Sequence, residues 1–587
     1  MRTRIIGFAA GFLIALVGLL PAQAKDDAFG FFRFPDVRKN KVVFTSEGDL
    51  WQVPLRGGIA IRLTVSEGEE RFAKFSPDGQ WIAFTGQYDG NSDVYLIPSW
   101  GGEACRLTYH PDRDQVVNWT PDNRILFRSR RDSPLWDWRL YTIGIDGGYP
   151  QVLPLTKASR ASFERGGNLI AFNQYALEFH RWKRYKGGWA QDIWVGNIGK
   201  LDFKKITKYK GNDNFPMWYG NKIYFLSDST GRGNLWSMNP DGSSLRQLTF
   251  HRDYDVRFPS LGEGKICYQY AMDIWVYDIS TSQTHKIDIR LPSDRLQARR
   301  RYANPKKYIT GYDLSPDGQR LLVNSRGELF SLPTAKGGLI RRLSWSSGAR
   351  IYGGEFSPDG QKVVGLSDST GEMEIWLWDA EGGKPPRRVT YDGQVWRFPP
   401  RFSPDGKRLV FSDKDLVLYI LDPAKGASTV VDTGSWEIRQ WSWSPDSRWL
   451  AYTRPNERGS SDIFIYDTKS GRKHLVADGL FRAFSPTWDP DGKYLFFLSD
   501  RTFNPYLDRY DSRFINLGYT KPYLLVLQKG VRSPFAVRPE GQAEETSPEK
   551  DKEGKDKKEK VKVEIDWDGL AKRVAEFPLS PGNYKSL

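Results

Sequence analysis

Between residues 40 and 540 the apolar positions come in short aromatic-rich runs bounded by Gly, Pro, Asp and Ser, with no amphipathic helical spacing. Trp81-Ile82-Ala83-Phe84-Thr85 is one such run. It is followed by Asp93-Val94-Tyr95-Leu96-Ile97, a Gly101-Gly102 turn and Arg106-Leu107-Thr108-Tyr109. Runs of this length and content are predicted to be half-buried strands. The third strand of the unit recurs as Asp49-Leu50-Trp51, Asp192-Ile193-Trp194, Asn234-Leu235-Trp236, Asp273-Ile274-Trp275, Glu374-Ile375-Trp376 and Asp462-Ile463-Phe464. A closing strand recurs as Arg62-Leu63-Thr64, Gln247-Leu248-Thr249, Arg342-Leu343-Ser344 and Arg388-Val389-Thr390.

A tetrapeptide punctuates these runs. Ser76-Pro77-Asp78-Gly79 returns at Ser315–Gly318, Ser357–Gly360 and Ser403–Gly406, with looser copies beginning at Thr120, Ser444 and Asp489. Pro presets the first corner of a turn, Asp bonds the local backbone and Gly takes the left-handed position. In the second half the copies are 42, 46, 41 and 45 residues apart. That period, on strand-type sequence, predicts propeller blades.

The chain is therefore expected to be all-β, with two tandem β-propellers built from four-stranded WD40- or TolB-like blades. Residues 25–309 hold six blades, the fourth enlarged by an insertion around Phe179-His180-Arg181-Trp182-Lys183. Residues 310–540 hold five more, after the basic junction Arg295–Arg301. Eleven blades exceed the usual four to eight of one ring, so two rings are expected. Residues 541–564 are rich in both charges and are expected to be disordered. Residues 565–587 look like the start of a sixth, truncated blade, which leaves the second ring unfinished.

At the N-terminus, Arg2 and Arg4 precede an apolar run from Ile5 to Leu20, and Ala22-Gln23-Ala24 supplies a small-x-small cleavage pattern. Residues 1–24 are expected to be a signal peptide, with Lys25 the mature N-terminus in the periplasm or outside the cell. An uncleaved anchor is the alternative, although the run is short for a full span. No stable membrane insertion is expected after cleavage.

Composition adds 22 Trp and 14% aromatic residues, enough flat side chains to fill the space between radial sheets. The net charge is +15, or +13 once Arg2 and Arg4 leave. No nucleic-acid motif accompanies it, and export argues against that partner. The charge is either a solvated face or a surface that receives acidic groups such as peptide carboxylates. Cys105 and Cys267, on strands of different blades, are expected to be buried free thiols, with an oxidised pair as the alternative.

Chemistry is sparse. There is no G-x-S-x-G elbow, no H-E-x-x-H and no C-x-x-C, so no catalytic residue, metal centre or cofactor is assigned. His110 and His251 follow closing strands and read as structural repeat positions, as Asp78, Asp317 and Asp359 read as turn residues. Of the remaining histidines, His285, His474 and His180, only His180 lies in the irregular insertion.

Phe34-Pro35-Asp36-Val37 with Lys41-Val42-Val43-Phe44-Thr45-Ser46-Glu47-Gly48-Asp49-Leu50-Trp51 resembles the opening of the tricorn protease family. So do Phe72–Gly79 and Ile125-Leu126-Phe127-Arg128-Ser129-Arg130-Arg131-Asp132-Ser133, and the likeness extends from about residue 30 to the last residue. The resemblance implies a six-bladed ring followed by a seven-bladed one, neither closed by a swapped strand. It implies further domains that carry the serine-peptidase site, and a hexamer-based homo-oligomer that cuts oligopeptides to very short products. The seven-bladed ring would admit peptides and the six-bladed ring would lie on the exit side. No catalytic position is inherited by these residues.

Arg130 and Arg131 match the family's anchor for the substrate C-terminus, where paired guanidiniums hold a carboxylate through charge-assisted bonds. Without the resemblance they read as solvated hairpin charges paired with Asp132. The function expected is the substrate-handling propeller module of an exported tricorn-like serine peptidase acting on oligopeptides. The alternative is a TolB-like periplasmic scaffold that binds envelope proteins.

Overall fold

The computed structural model describes residues 31–180, 183–295, 299, 301–345, 348–476, 479–502, 505–510, 512–515, 517–536 and 561–587. The expected signal peptide lies outside the described residues. So do most of the charged insert, Arg181, Trp182 and part of the basic junction. The chain divides into two compact units between residues 300 and 301, slightly before the boundary expected at 309. The shift has a local cause. The turn Pro305–Tyr308 packs on the second unit, where Ser325 Oγ donates to the Pro305 carbonyl at 2.9 Å and Arg326 lies 5.6 Å from the Tyr308 ring.

Among the described residues the first unit contains six four-stranded antiparallel sheets, spanning 33–62, 70–106, 115–152, 160–205, 213–247 and 256–286. Each is a meander of sequence-local strands, so no strand is exchanged between blades. The ring is closed by packing: Val37, Phe44, Trp51 and Val53 of the first sheet share a buried cluster with Cys267, Ile274 and Val276 of the sixth. A parallel pairing of Ile289–Arg290 with Gly58–Ile59 clasps the rim.

The repeated phrases have physical explanations. In the turn, Ser76 Oγ accepts the Trp81 amide at 2.9 Å and Asp78 Oδ1 accepts the Gln80 amide at 2.9 Å. Gly79 is left-handed at φ 77°, and the looser copies place Asn123 and Ser447 there at 62° and 60°. These contacts hold the Asp78, Asp317 and Asp359 carboxyls below their ordinary range, the Ser hydroxyl first and then a backbone amide.

The closing strand bonds back onto the third. In the second sheet Thr108 Oγ1 accepts the Val94 amide at 2.9 Å, while Arg106 reaches the Thr108 carbonyl at 2.9 Å and Asp93 at 2.7 Å. Gln247, Thr249 and Asn234 repeat this with neutral groups, and Arg388, Thr390 and Glu374 repeat it in the second unit. An acid or amide, a hydroxyl and a long cation or amide thus satisfy the closing edge in these blades.

The second unit contains five four-stranded sheets among the described residues. Residues 565–587, expected to open a sixth blade, instead complete the fifth. Val574–Glu576 pairs with Lys521–Val526, with Leu524 opposite Ala575. The fully buried strand Lys521–Val526 needs a partner for its outer backbone groups, and the later segment supplies it. The end of the segment expected to be disordered is also ordered. Val563 is buried, donates its amide to Asp446 at 3.0 Å and accepts from the Trp449 indole at 3.2 Å.

The first sheets of the two units differ in one respect. Asp36 and Asp313 each accept an amide from the next blade, Phe75 and Phe356 respectively. Yet Val37 is 2% exposed and Leu314, at the matching position, is 55% exposed. Tyr312 beside it is exposed as well. The first sheet of the second unit keeps one face open to water.

Candidate functional site

The loop between strands Ile125–Ser129 and Arg139–Gly144 carries both arginines singled out by sequence. Arg131 is built into its blade. Its guanidinium pairs with the fully buried Asp114, its Nε donates to Ser129 Oγ at 3.2 Å, and it lies over Phe127 and Tyr141. Arg501 repeats this in the second unit, donating to Ser499 at 3.2 Å and lying over Phe497 and Tyr523. Arg130 differs. Its guanidinium lies 4.4 Å from the Trp138 ring, its Nε is buried without an acceptor, and it makes no ion pair among the described residues. Neither arginine pairs with Asp132, which accepts from the Tyr141 hydroxyl at 3.0 Å instead.

Arg128 lies on the same indole at 4.7 Å and leads to a feature that sequence reading missed. The first strands of four blades each carry a bulge with a phenylalanine at positive φ: Phe34 at 53°, Phe72 at 56°, Phe215 at 53° and Phe258 at 47°. A bulky residue rarely adopts that conformation, and a bulge re-aims its side chain. Here the rings converge. Phe34 is 4.7 Å from both Phe72 and Phe258, and Phe215 is 5.8 Å from Phe258. They form a phenyl plug shared by the first, second, fifth and sixth blades. Arginines cover it: Arg160 lies over Phe72 and Phe215, Arg257 over Phe258 and Arg33 over Phe34. Each cation–π contact contributes about 0.5–2 kcal/mol, more as it is desolvated.

A cavity of about 640 Å³ lies against the plug, walled by Asp36, Lys74, Arg160, Ser162, Trp218 and Ser260. Another of about 250 Å³ is lined by Glu178, His180, Gln191, Asn214 and Arg257, with Phe215 and Phe258 contributing to both. Glu178 pairs with Arg128 at 2.7 Å and Arg160 at 2.8 Å, all three buried. Burial pushes the Glu178 carboxyl up, and the two guanidiniums more than reverse it, leaving it at about 2. The signal was present in part: Phe-Pro recurs at 34–35, 215–216 and 258–259. That those rings meet is a consequence of ring closure.

The other candidates are structural. His251 bonds the Tyr268 hydroxyl at 3.0 Å and stacks on Tyr270, and His474 stacks on Trp567. His180 lines the smaller cavity. Both cysteines are free thiols, but Cys105 is exposed, contrary to expectation, because it lies on the outermost strand of its blade. Among the described residues no cluster of three or more His, Cys, Asp or Glu side chains could hold a metal ion, and no helix is long and apolar enough to cross a membrane.

The tricorn protease N-terminal beta propeller domain matches residues 29–283, and the tricorn protease second beta propeller domain matches residues 309–587. The chain belongs to the tricorn protease family. The tricorn protease homolog of Saccharolobus solfataricus is 28% identical over 569 residues, covering 95% of this chain and 50% of that one. Tricorn protease homolog 1 of Streptomyces coelicolor is 30% identical over 573 residues, covering 95% and 53%. The chain thus spans about half the length of the curated relatives it matches. A crystal structure of the tricorn protease shares the fold with a TM-score of 0.52, at 24% identity over 95% of this chain and 54% of that one.

Proposed function

We propose that this chain is the substrate-handling propeller part of an exported tricorn-type serine peptidase, receiving oligopeptides by their free C-terminal carboxylate. Arg130 carries the reading. A guanidinium braced on an indole, with no ion pair of its own among the described residues and Arg128 on the same ring, has donors available for a carboxylate. Arg131 supports Arg130 by fixing the loop through Asp114. On this reading the chain acts in a hexamer-type homo-oligomer together with protease domains like those of its family. Residues 1–24 are removed after Ala24, so that the protein works in the periplasm or outside the cell.

The test is peptide binding by the full chain. A short peptide acid is expected to bind, its C-terminal amide to bind at least tenfold more weakly, and Arg130→Ala to erase the difference. An Arg130→Ala protein that separates acid from amide as wild type does would remove Arg130 from the site. No hydrolysis of chromogenic peptides or casein by this chain alone is expected.

A further inference from the structure

At two seams of the first unit, a buried acid at the start of a blade meets a long side chain from the hairpin between that blade's second and third strands. Glu70 faces Gly86, and two residues further on the Tyr88 hydroxyl donates to Glu70 at 2.9 Å. Asp114 precedes strand Gln115–Trp119, and Arg131, two residues beyond Ser129, pairs with it. Each long side chain lies against a cross-strand aromatic pair. Tyr88 is 6.4 Å from Phe84 and 4.5 Å from Tyr95, and Arg131 lies over Phe127 and Tyr141.

The fifth blade of this unit has the acid and the aromatic pair without the long side chain. Asp213 faces Ser227, Phe225 faces Trp236, and Ser229 stands in the place of Tyr88. A cavity of about 340 Å³ is left there, lined by Asp213, Phe225, Ser229 and Trp236 and rimmed by the exposed Lys208 and Leu245. Tyr209, which also borders it, keeps its hydroxyl on the Asp228 carbonyl at 3.4 Å.

Two polar groups in this cavity lack the partners their counterparts have. Asp213 is 4% exposed, makes no ion pair among the described residues and is pushed up to about 7 by burial. Thr64 donates to Glu70 at 2.7 Å, whereas its counterpart Thr207 turns to Asp192 at 3.2 Å. The Trp236 indole nitrogen is buried without an acceptor. In the first blade Trp51 donates to the Ser46 carbonyl at 3.0 Å across the tight hairpin 47–48, but the hairpin 228–233 is longer and offers Trp236 no such carbonyl. The absent group has to donate to a carboxyl, accept from an indole N–H and lie on aromatic rings. A guanidinium has no acceptor, whereas a phenol meets all three demands.

We propose that this cavity is a phenol-binding site, in which the hydroxyl of the guest bonds Asp213 and Trp236 and its ring takes the place that Tyr88 fills one seam away. The guest is a tyrosine side chain of another polypeptide or a free small phenol. The site is separate from the Arg130 loop and independent of the carboxylate reading.

The experiment is saturation-transfer NMR on the full chain with p-cresol, which is the tyrosine side chain alone, and with toluene. The wild type is expected to bind p-cresol, and to bind toluene about tenfold more weakly for want of the hydroxyl. Ser229→Tyr supplies the phenol from within the blade, and is expected to lose p-cresol binding and to melt at a higher temperature. Trp236→Phe keeps a ring and removes the N–H, and is expected to weaken p-cresol severalfold with toluene unchanged. Equal binding of p-cresol and toluene by wild type, or wild-type affinity for p-cresol in a folded Ser229→Tyr, overturns the proposal. If Ser229→Tyr does not fold, unchanged discrimination between p-cresol and toluene in Trp236→Phe overturns it. Displacement of p-cresol by a tyrosine tripeptide blocked at both ends supports the site and assigns it to tyrosine side chains. Binding of p-cresol without that displacement supports it as a site for free phenols. None of these probes carries a carboxylate, so failure here leaves the Arg130 reading standing.

Discussion

Arg130 and Arg131 are neighbours in sequence, yet their removal is predicted to have opposite consequences. Arg131 faces Asp114, whose side chain is 0% exposed and whose Oδ1 has no partner, so the Arg131 guanidinium is the main charge compensation available to that carboxylate. Deleting one member of a buried pair leaves an uncompensated charge, at a cost of about 3–5 kcal/mol. Arg131 keeps 12% exposure, so the lower end, about 3 kcal/mol, is expected for Arg131→Ala. For a unit of this size that lowers the melting temperature by roughly 5–10 °C. Arg130 loses only its contact with Trp138, worth about 0.5–1 kcal/mol at a partly exposed site. Thermal melts of the full chain, followed by tryptophan fluorescence, measure both. Asp114→Asn should recover part of the Arg131→Ala loss, because the orphaned charge is then gone. The reasoning fails if Arg131→Ala melts as wild type does, or if Arg130→Ala is the more damaging change.

Burial raises Glu70 and Asp213 to about 7. The folded first unit therefore holds protons that the unfolded chain has lost, and stability falls as pH rises from about 4.5 to 7. Glu178 works in the opposite sense, its contribution being lost only as pH falls from about 4.5 toward 2. A Glu70→Gln, Asp213→Asn double variant should flatten the fall between pH 5 and 7, and an unchanged slope in urea titrations would refute the assignment. Cys105 should react with iodoacetamide in the folded protein and Cys267 only after denaturation, as peptide mass mapping will show. Val37→Lys should cost about 3 kcal/mol or more, because it buries a cation, whereas Leu314→Lys should stay within about 0.5 kcal/mol and reduce binding of a hydrophobic dye. Equal effects of the two substitutions would mean that the open sheet face is covered in solution.

The elements legible in sequence are those whose chemistry is local. Ser76, Asp78 and Gly79 satisfy one another within a turn, and Arg106, Thr108 and Asp93 within one sheet, so repetition of the phrase announces repetition of the structure. The plug is different. Phe34 and Phe258 are far apart in the chain and meet only because the ring closes through Val37 and Cys267. Glu178 lies in an insertion with no periodicity, so nothing nearby marks it as the partner of Arg128 and Arg160. The fourth strand of the fifth sheet lacks the Arg-Leu-Thr phrase, so in sequence Val574–Glu576 looks like the beginning of a blade rather than the end of one. For Arg131, the sequence shows its adjacency to Arg130 but neither its ion pair with Asp114 nor its likeness to Arg501, because both depend on how the blades fold.

That late fourth strand makes the fifth sheet a natural splicing point. Val574–Glu576 joins Lys521–Val526 as an edge strand, and pairing at an edge depends on the strand's presence rather than on the length of chain that delivers it. The entropy of closing a loop grows only logarithmically with its length, so doubling one with Gly and Ser would cost about 0.6 kcal/mol. The connection between Val526 and Val574 could therefore be lengthened, given a foreign domain, or cut and its final strand supplied as a separate peptide. The blade would be rebuilt each time from the same three-residue seam.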